Sequence, residues 1–93
     1  MALDSPEMME ILSRLAAYYG ADHVVLRPTA DKAWEYDSSG KLLQADISPL
    51  DVSRKGRRLY CIPEKPREGG FWACVLYDEA DNILREGSEQ LPA

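Results

Sequence analysis

Few residues of this sequence have the types and spacing that catalysis requires. His23 is the single histidine, and it would need Cys61 or Cys74 beside it to act as the base of a cysteine nucleophile. No local pattern brings these residues together. The acids between positions 78 and 81 could attract a cation, but their spacing is not that of an EF-hand loop, and a solvated turn accounts for them. We therefore expect that the protein is not an enzyme and that it uses no cofactor and no metal.

The two cysteines fit no metal-ligand spacing and are too few for a disulfide scaffold. They fall on neighbouring predicted strands, so a cross-strand disulfide is one alternative. The second alternative is that Cys61 and Cys74 are reduced and pack as small hydrophobic side chains, which is the commoner use of cysteine in a core.

A basic segment is the better candidate for a binding role. Residues 54–67 hold six basic side chains against Glu64 alone, on a chain whose net charge is −5. They could contact phosphates while Trp72 stacks on a base, although nucleic-acid binders are usually basic overall. Alternatively, the segment is a solvated turn, or it steers the approach of an acidic protein partner. The basic residues are Arg54, Lys55, Arg57, Arg58, Lys65 and Arg67.

The longest apolar run, Phe71–Tyr77, predicts a strand. It follows Gly69-Gly70, precedes a turn-forming stretch at 78–82, and contains aromatic and β-branched residues. In a strand its odd-numbered residues point to one face of the sheet and its even-numbered residues to the other. Both sets are apolar, as are both sides of Leu59–Ile62. Both faces of the sheet therefore need to be covered.

A helix over residues 6–19 is indicated by apolar residues at helical spacing. It starts at Ser5-Pro6, a capping hydroxyl followed by proline, and it stops at Gly20. Ser48-Pro49 repeats the capping signal and predicts a short second helix through about Arg54. Strands are predicted at 24–26, ending before Pro28 or lying at an edge, in a hairpin over 33–44, and at 57–62, 71–77 and 83–87.

These elements predict a single α+β domain over residues 1–93, in which the N-terminal amphipathic helix packs on a small antiparallel β-sheet of about five strands. Phe71–Tyr77 should lie between 57–62 and 83–87, and the ends at 1–4 and 88–93 should be frayed. Tyr36-Asp37 and Tyr77-Asp78 each precede a turn, the second slightly longer. We interpret this likeness as shared turn chemistry rather than a repeat.

One helix covers only one face of such a sheet. The opposite face could be covered by curling, by the 49–54 segment or by another chain, and an exposed apolar patch would mark a binding site. We therefore expect a small soluble interaction module, such as a regulator, inhibitor or adaptor, of a size that fits a phage- or mobile-element-encoded inhibitor. It would bind a protein partner or a second copy through the uncovered face or edge, with Trp72, Phe71 and Tyr60 as contacts beside the basic residues.

The alternative function is nucleic-acid binding by the 54–67 segment. The many carboxylates are also compatible with a nucleic-acid mimic. No apolar stretch approaches the roughly 20 residues that cross a bilayer, and the N-terminus does not resemble a secretory signal. We expect a cytoplasmic protein with no membrane partner.

Overall fold

The computed structural model describes residues 3–64 and 70–92, and these form one α-helix and six β-strands. The α+β class is therefore confirmed, with six strands in a sheet for which about five are predicted. The elements are α1 (Pro6–Tyr19), β1 (His23–Leu26), β2 (Ala33–Asp37), β3 (Leu42–Ile47), a 3-10 turn (Pro49–Asp51), β4 (Arg58–Pro63), β5 (Phe71–Tyr77) and β6 (Ile83–Gln90).

The six strands form one sheet in the order β3-β2-β1-β4-β5-β6. Neighbours are antiparallel except β1 and β4, which run parallel with Val24 opposite Leu59. The prediction of a wholly antiparallel sheet is therefore wrong. β1 ends before Pro28, as one alternative required, but it lies at the centre of the sheet and not at an edge. Its four residues are all buried, which is typical of a strand with parallel pairing. β5 lies between β4 and β6, as predicted.

The helix α1 has the predicted bounds because both of its ends are capped. Oγ of Ser5 accepts a hydrogen bond from the backbone N–H of Met8 at 3.1 Å, and Gly20 ends the helix at φ 76°. Its buried stripe covers one face of the sheet from β1 across to β5. The stripe consists of Met8, Leu12, Leu15, Ala16 and Tyr19.

The opposite face is covered only in part. The 3-10 turn is capped by Ser48 and spans three residues, so the predicted second helix is shorter than expected. Val52, directly after it, packs with Val25 and Ala33 to form a second small core. This segment therefore covers β1 and β2 and leaves β5 uncovered on the same side.

A buried polar pair lies on that side of β1 and β2. Nδ1 of His23 is 3.0 Å from Oε2 of Glu35, and Nε2 is 3.0 Å from the carbonyl oxygen of Lys55. Oε1 of Glu35 also accepts a hydrogen bond from Gln44 at 2.8 Å. Both ring nitrogens of the histidine therefore lie near oxygen atoms, and the carboxylate accepts its hydrogen bond from Gln44.

The cysteines are direct cross-strand partners in the main core, beneath α1. Cys61 lies opposite Cys74, their sulfur atoms are 3.4 Å apart, and both are buried free thiols. The hydrogen bond from Cys74 and then burial raise the pKa of Cys61 well above its ordinary value. The interpretation of both as small core residues is confirmed.

The two ends of the described chain are attached to the core. Ser88–Gln90 belongs to β6, and Leu91 is buried with its N–H donating to the carbonyl of Gly70 at 3.0 Å. The carbonyl of Leu3 accepts a hydrogen bond from the Tyr36 hydroxyl at 2.5 Å. Leu3 and Ser88 to Leu91, within the ends for which fraying is predicted, are therefore bonded to the rest of the fold.

Both outer strands are irregular. β3 shifts register against β2, and Asp46 within it has a φ of 56°. β6 shifts register where it passes the end of β5, between Leu76 and Tyr77. Such bulges bend an edge strand and interrupt its ladder.

Candidate interaction surface

An apolar surface lies on the side of β4 and β5 that faces away from α1. We call it the open surface. Tyr60 stands opposite Val75 and Ile62 opposite Ala73 in the antiparallel register, so the side chains form adjacent rows. Two of the large side chains are about half-exposed, Ile62 at 45% and Phe71 at 44%. The open surface consists of Tyr60, Ile62, Phe71, Ala73, Val75 and Tyr77.

Trp72 is not part of this surface. The alternation of β5 places its indole on the α1 side, where it is 2% exposed and belongs to the main core. Phe71 takes the exposed position that the sequence left open between the two residues. The prediction that Trp72 makes the exposed contact is therefore wrong, because the packing of α1 decides which side of the strand is buried.

A cleft adjoins the open surface and has a volume of about 230 Å³. We call it the arginine cleft. Its apolar wall is shared with the open surface. Its polar wall consists of three arginine side chains and one aspartate side chain. It is lined by Arg27, Arg54, Arg58, Tyr60, Ile62, Val75, Tyr77 and Asp81.

Arg58 is the central side chain of the arginine cleft, and 2% of it is exposed. Its Cζ lies 5.7 Å from the ring centre of Tyr60 and 5.8 Å from that of Tyr77, within the range of cation–π attraction. The two rings contact each other edge to face, with centres 5.5 Å apart. Asp81 pairs with Nη2 of Arg58. The guanidinium is thus held in a fixed orientation by two rings and one carboxylate.

The same carboxylate pairs with Arg54, whose Nη1 lies 2.5 Å from Oδ2 of Asp81. Hydrogen bonds from Arg54 and then Arg58 lower the pKa of Asp81. Two members of the predicted basic segment are therefore used in ion pairs. Lys65 and Arg67 lie outside the described residues.

The remaining described members, Lys55 and Arg57, have exposed side chains but acidic neighbours. Oδ2 of Asp22 accepts a hydrogen bond from the backbone N–H of Arg57 at 2.8 Å. Oε2 of Glu79 accepts one from the N–H of Gly56 at 2.7 Å. Within the described part of the chain, acids and bases therefore alternate over this region, and it is not a uniformly positive surface.

The residues considered for catalysis or metal binding do not come together. His23 lies on the 3-10-turn side of the sheet and the thiols lie on the α1 side, so the sheet separates them. Asp78 organises a turn by accepting hydrogen bonds from the backbone N–H groups of Ala80 and Asn82. No group of three metal-ligating side chains is found in residues 3–64 and 70–92.

The sequence did not indicate Arg27 as a site residue. It lies just after β1, and its backbone N–H donates to the carbonyl of Cys61 at 2.9 Å. Only the parallel pairing of β1 with β4 brings it to the arginine cleft. Pro28 indicated where the strand ends, but it did not indicate that Arg27 lies in the cleft.

No protein-family model matches the chain, and neither a curated protein nor a solved structure is detectably similar to it. In the part of the chain that the structure describes, no helix has the length and apolar character needed to cross a bilayer.

Proposed function

We propose that the protein is a protein-binding module, acting as a regulator, inhibitor or adaptor, and that it docks its partner on the open surface. The observation that carries the proposal is the pair of half-exposed large side chains, Ile62 and Phe71, on inner strands of the sheet. Contiguous apolar patches of this kind on small proteins commonly mark interaction sites.

The arrangement of the chain supports this proposal. Each half of the sheet is a three-strand meander, β1-β2-β3 and β4-β5-β6. The first is preceded by a 14-residue helix that covers one face, and the second by a three-residue turn that covers part of the opposite face. The uncovered remainder is the open surface, which a segment of another protein can cover.

A different protein is a better occupant than a second copy. Each copy carries a net charge of −5, and two copies repel each other when they approach. Enrichment of aromatic side chains and arginine, as on the open surface and in the adjoining cleft, is typical of the centre of protein interfaces.

The test is affinity capture from the source cell with wild-type protein and two variants. Ile62→Ser/Phe71→Ser changes the open surface, whereas Leu50→Ser changes a side chain that is 90% exposed elsewhere. We expect the double variant to lose the captured protein and Leu50→Ser to retain it, with equal thermal stability as the folding check.

Equal capture by all three proteins would overturn the proposal. Sedimentation equilibrium tests the alternative in which the partner is a second copy of this chain. A dimer of the wild type that dissociates in the double variant would assign the open surface to a second copy and contradict our choice of partner.

Nucleic-acid binding by residues 54–67 is the alternative function, and the exposed side chains of Lys55 and Arg57 are what favours it. It predicts an affinity for DNA or RNA that falls steeply with salt. Lys55→Glu/Arg57→Glu is the appropriate variant, because Arg58 is buried and its replacement would disturb the fold. Absent or salt-independent binding would remove this alternative.

A further inference from the structure

The arginine cleft carries an excess of positive charge on a protein that is acidic overall. Among the described residues that line it, Arg27, Arg54 and Arg58 are opposed by Asp81 alone. Asp81 is shared between Arg54 and Arg58. The cleft therefore favours an anion, and an anion there would meet guanidinium groups already held in place by their neighbours.

Two buried donors on arginines that line this cleft have no acceptor among the residues that the structure describes. They are the Nε–H groups of Arg27 and Arg58. The Nη2 atom of each residue does have a partner: Nη2 of Arg27 donates to the carbonyl of Ala30 at 2.8 Å, and Nη2 of Arg58 to Asp81. Leaving a buried donor unpaired is unfavourable, so the cleft lacks an acceptor.

We propose that the arginine cleft binds the carboxylate of an aspartate or glutamate side chain on the partner protein, and that this contact sets the partner's position on the open surface. The proposal rests on the proposed function. A guanidinium presents Nε–H and Nη–H as a fork that matches a carboxylate. The apolar wall of Tyr60, Ile62 and Val75 would pack against the methylene groups of the same side chain.

A carboxylate fits better than the phosphates of a nucleic acid. Asp81 already lies in the cleft, and a second depression is lined by Asp22, Asp78 and Glu79, with Arg57 as its one base. A single negative charge can enter between these acids, whereas a chain of phosphates would be repelled along its length.

The experiment is an NMR titration of the full chain that observes the arginine Nε–H signals. The probe is 3-phenylpropionate, a carboxylate on an apolar stem, and its controls are the neutral amide 3-phenylpropionamide and inorganic phosphate. We expect the signals of Arg27 and Arg58 to shift saturably with the carboxylate only. No shift, an equal shift with the amide, or tighter binding of phosphate would overturn the proposal.

Arg27→Lys keeps the charge and removes the Nε–H group, and Arg27 is only partly buried, so the fold should be retained. We expect it to weaken binding of the probe about tenfold, the value of one charge-assisted hydrogen bond. Arg14→Lys, on the exposed side of α1, is the matched control and should bind like the wild type. Equal binding by both variants would contradict the role of Arg27.

The two proposals fail separately. If the probe does not bind but capture of the partner still requires Ile62 and Phe71, only the carboxylate site is wrong. If the probe binds but capture is indifferent to those residues, the protein-binding function of the open surface is wrong.

Discussion

Single aspartates organise the short turns that join β2 to β3 and β5 to β6. Oδ1 of Asp37 accepts hydrogen bonds from the backbone N–H groups two and four residues later, at 2.9 and 3.0 Å. Oδ1 of Asp78 does the same, at 2.9 Å for each. The fourth residue is left-handed in both, Gly40 at φ 84° and Asp81 at φ 64°. The two turns are thus equal in length, and the expected difference between them is wrong.

The fourth position of each turn shows why the residue types differ. A side chain at Gly40 would place its Cβ 2.0 Å from the carbonyl oxygen of Met9 in α1, so only glycine fits. The side chain of Asp81 is half-exposed, and its carboxylate pairs with Arg54 and Arg58. Aspartate tolerates the left-handed conformation better than most residues.

We expect that Asp78→Asn makes the free energy of unfolding fall less steeply as the pH is lowered. Hydrogen bonds from the backbone N–H of Asn82, then its side chain, then the N–H of Ala80, lower the pKa of Asp78 from 3.8. As the pH falls, the carboxylate of Asp78 is therefore protonated in the unfolded chain before it is protonated in the folded protein. The stabilisation is present in full above pH 3.8 and is lost as the pH falls below it through the folded pKa. Asparagine keeps the turn and does not titrate.

Urea unfolding at a series of pH values measures this. The matched control is Asp31→Asn, in the exposed loop between β1 and β2, which should keep the slope of the wild type. An unchanged slope in Asp78→Asn would show that the turn contributes nothing to acid sensitivity.

At the scale of elements, α1 packs on β1, β4 and β5 to form most of the main core. Leu12 of α1 and both cysteines are fully buried in it. Tyr19, at the end of the helix, donates to Glu89 of β6 at 2.8 Å, where Gly87 leaves room for its hydroxyl. The helix thus holds both the centre and one edge strand of the second meander.

We expect both thiols to be protected from iodoacetamide in the folded protein and to react fast in urea. The thiolate is the reacting form, and the raised pKa of Cys61 disfavours it in addition to burial. Leu12→Ala should speed labelling, because the cavity costs about 2–5 kcal/mol and populates open states. Leu50→Ala, at an exposed site, should not. Rapid labelling of the native wild type would contradict this account of the core.

At the scale of the whole molecule, the two meanders meet only at the parallel β1–β4 pair within the described sheet. β1 and β4 are covered by α1 on one side, and on the opposite side Val25 and Tyr60 contact the small core around Val52. This central pair should therefore be the most protected part of the sheet.

Amide hydrogen exchange tests this directly. We expect the amides of Val24–Leu26 and Leu59–Cys61 to exchange only on global unfolding, and those of the outer strands β3 and β6 to exchange faster by local opening. Faster exchange in β1 than in β6 would show that the meanders are joined loosely.

Local features of the fold were predictable from the sequence, and long-range ones were not. Ser5, Pro6 and Gly20 mark the ends of α1, the apolar spacing marks its length, and aspartates mark the β2–β3 and β5–β6 turns. The pairing of β1 with β4 joins segments separated by residues 27–57, and no local pattern encodes it. The open surface was predictable as a property of β5, but whether Trp72 or Phe71 faced solvent depended on where α1 packed.

The irregular outer strands have a consequence for how the protein behaves at high concentration. A regular, uncharged edge would template the addition of strands from other molecules and lead to aggregation. β3 is bent at Asp46, and β6 carries Arg85, Glu86 and Glu89. The open surface can therefore bind another molecule, while the edge strands β3 and β6 resist the addition of further strands. We expect association to stop at a discrete complex and not to continue into fibres.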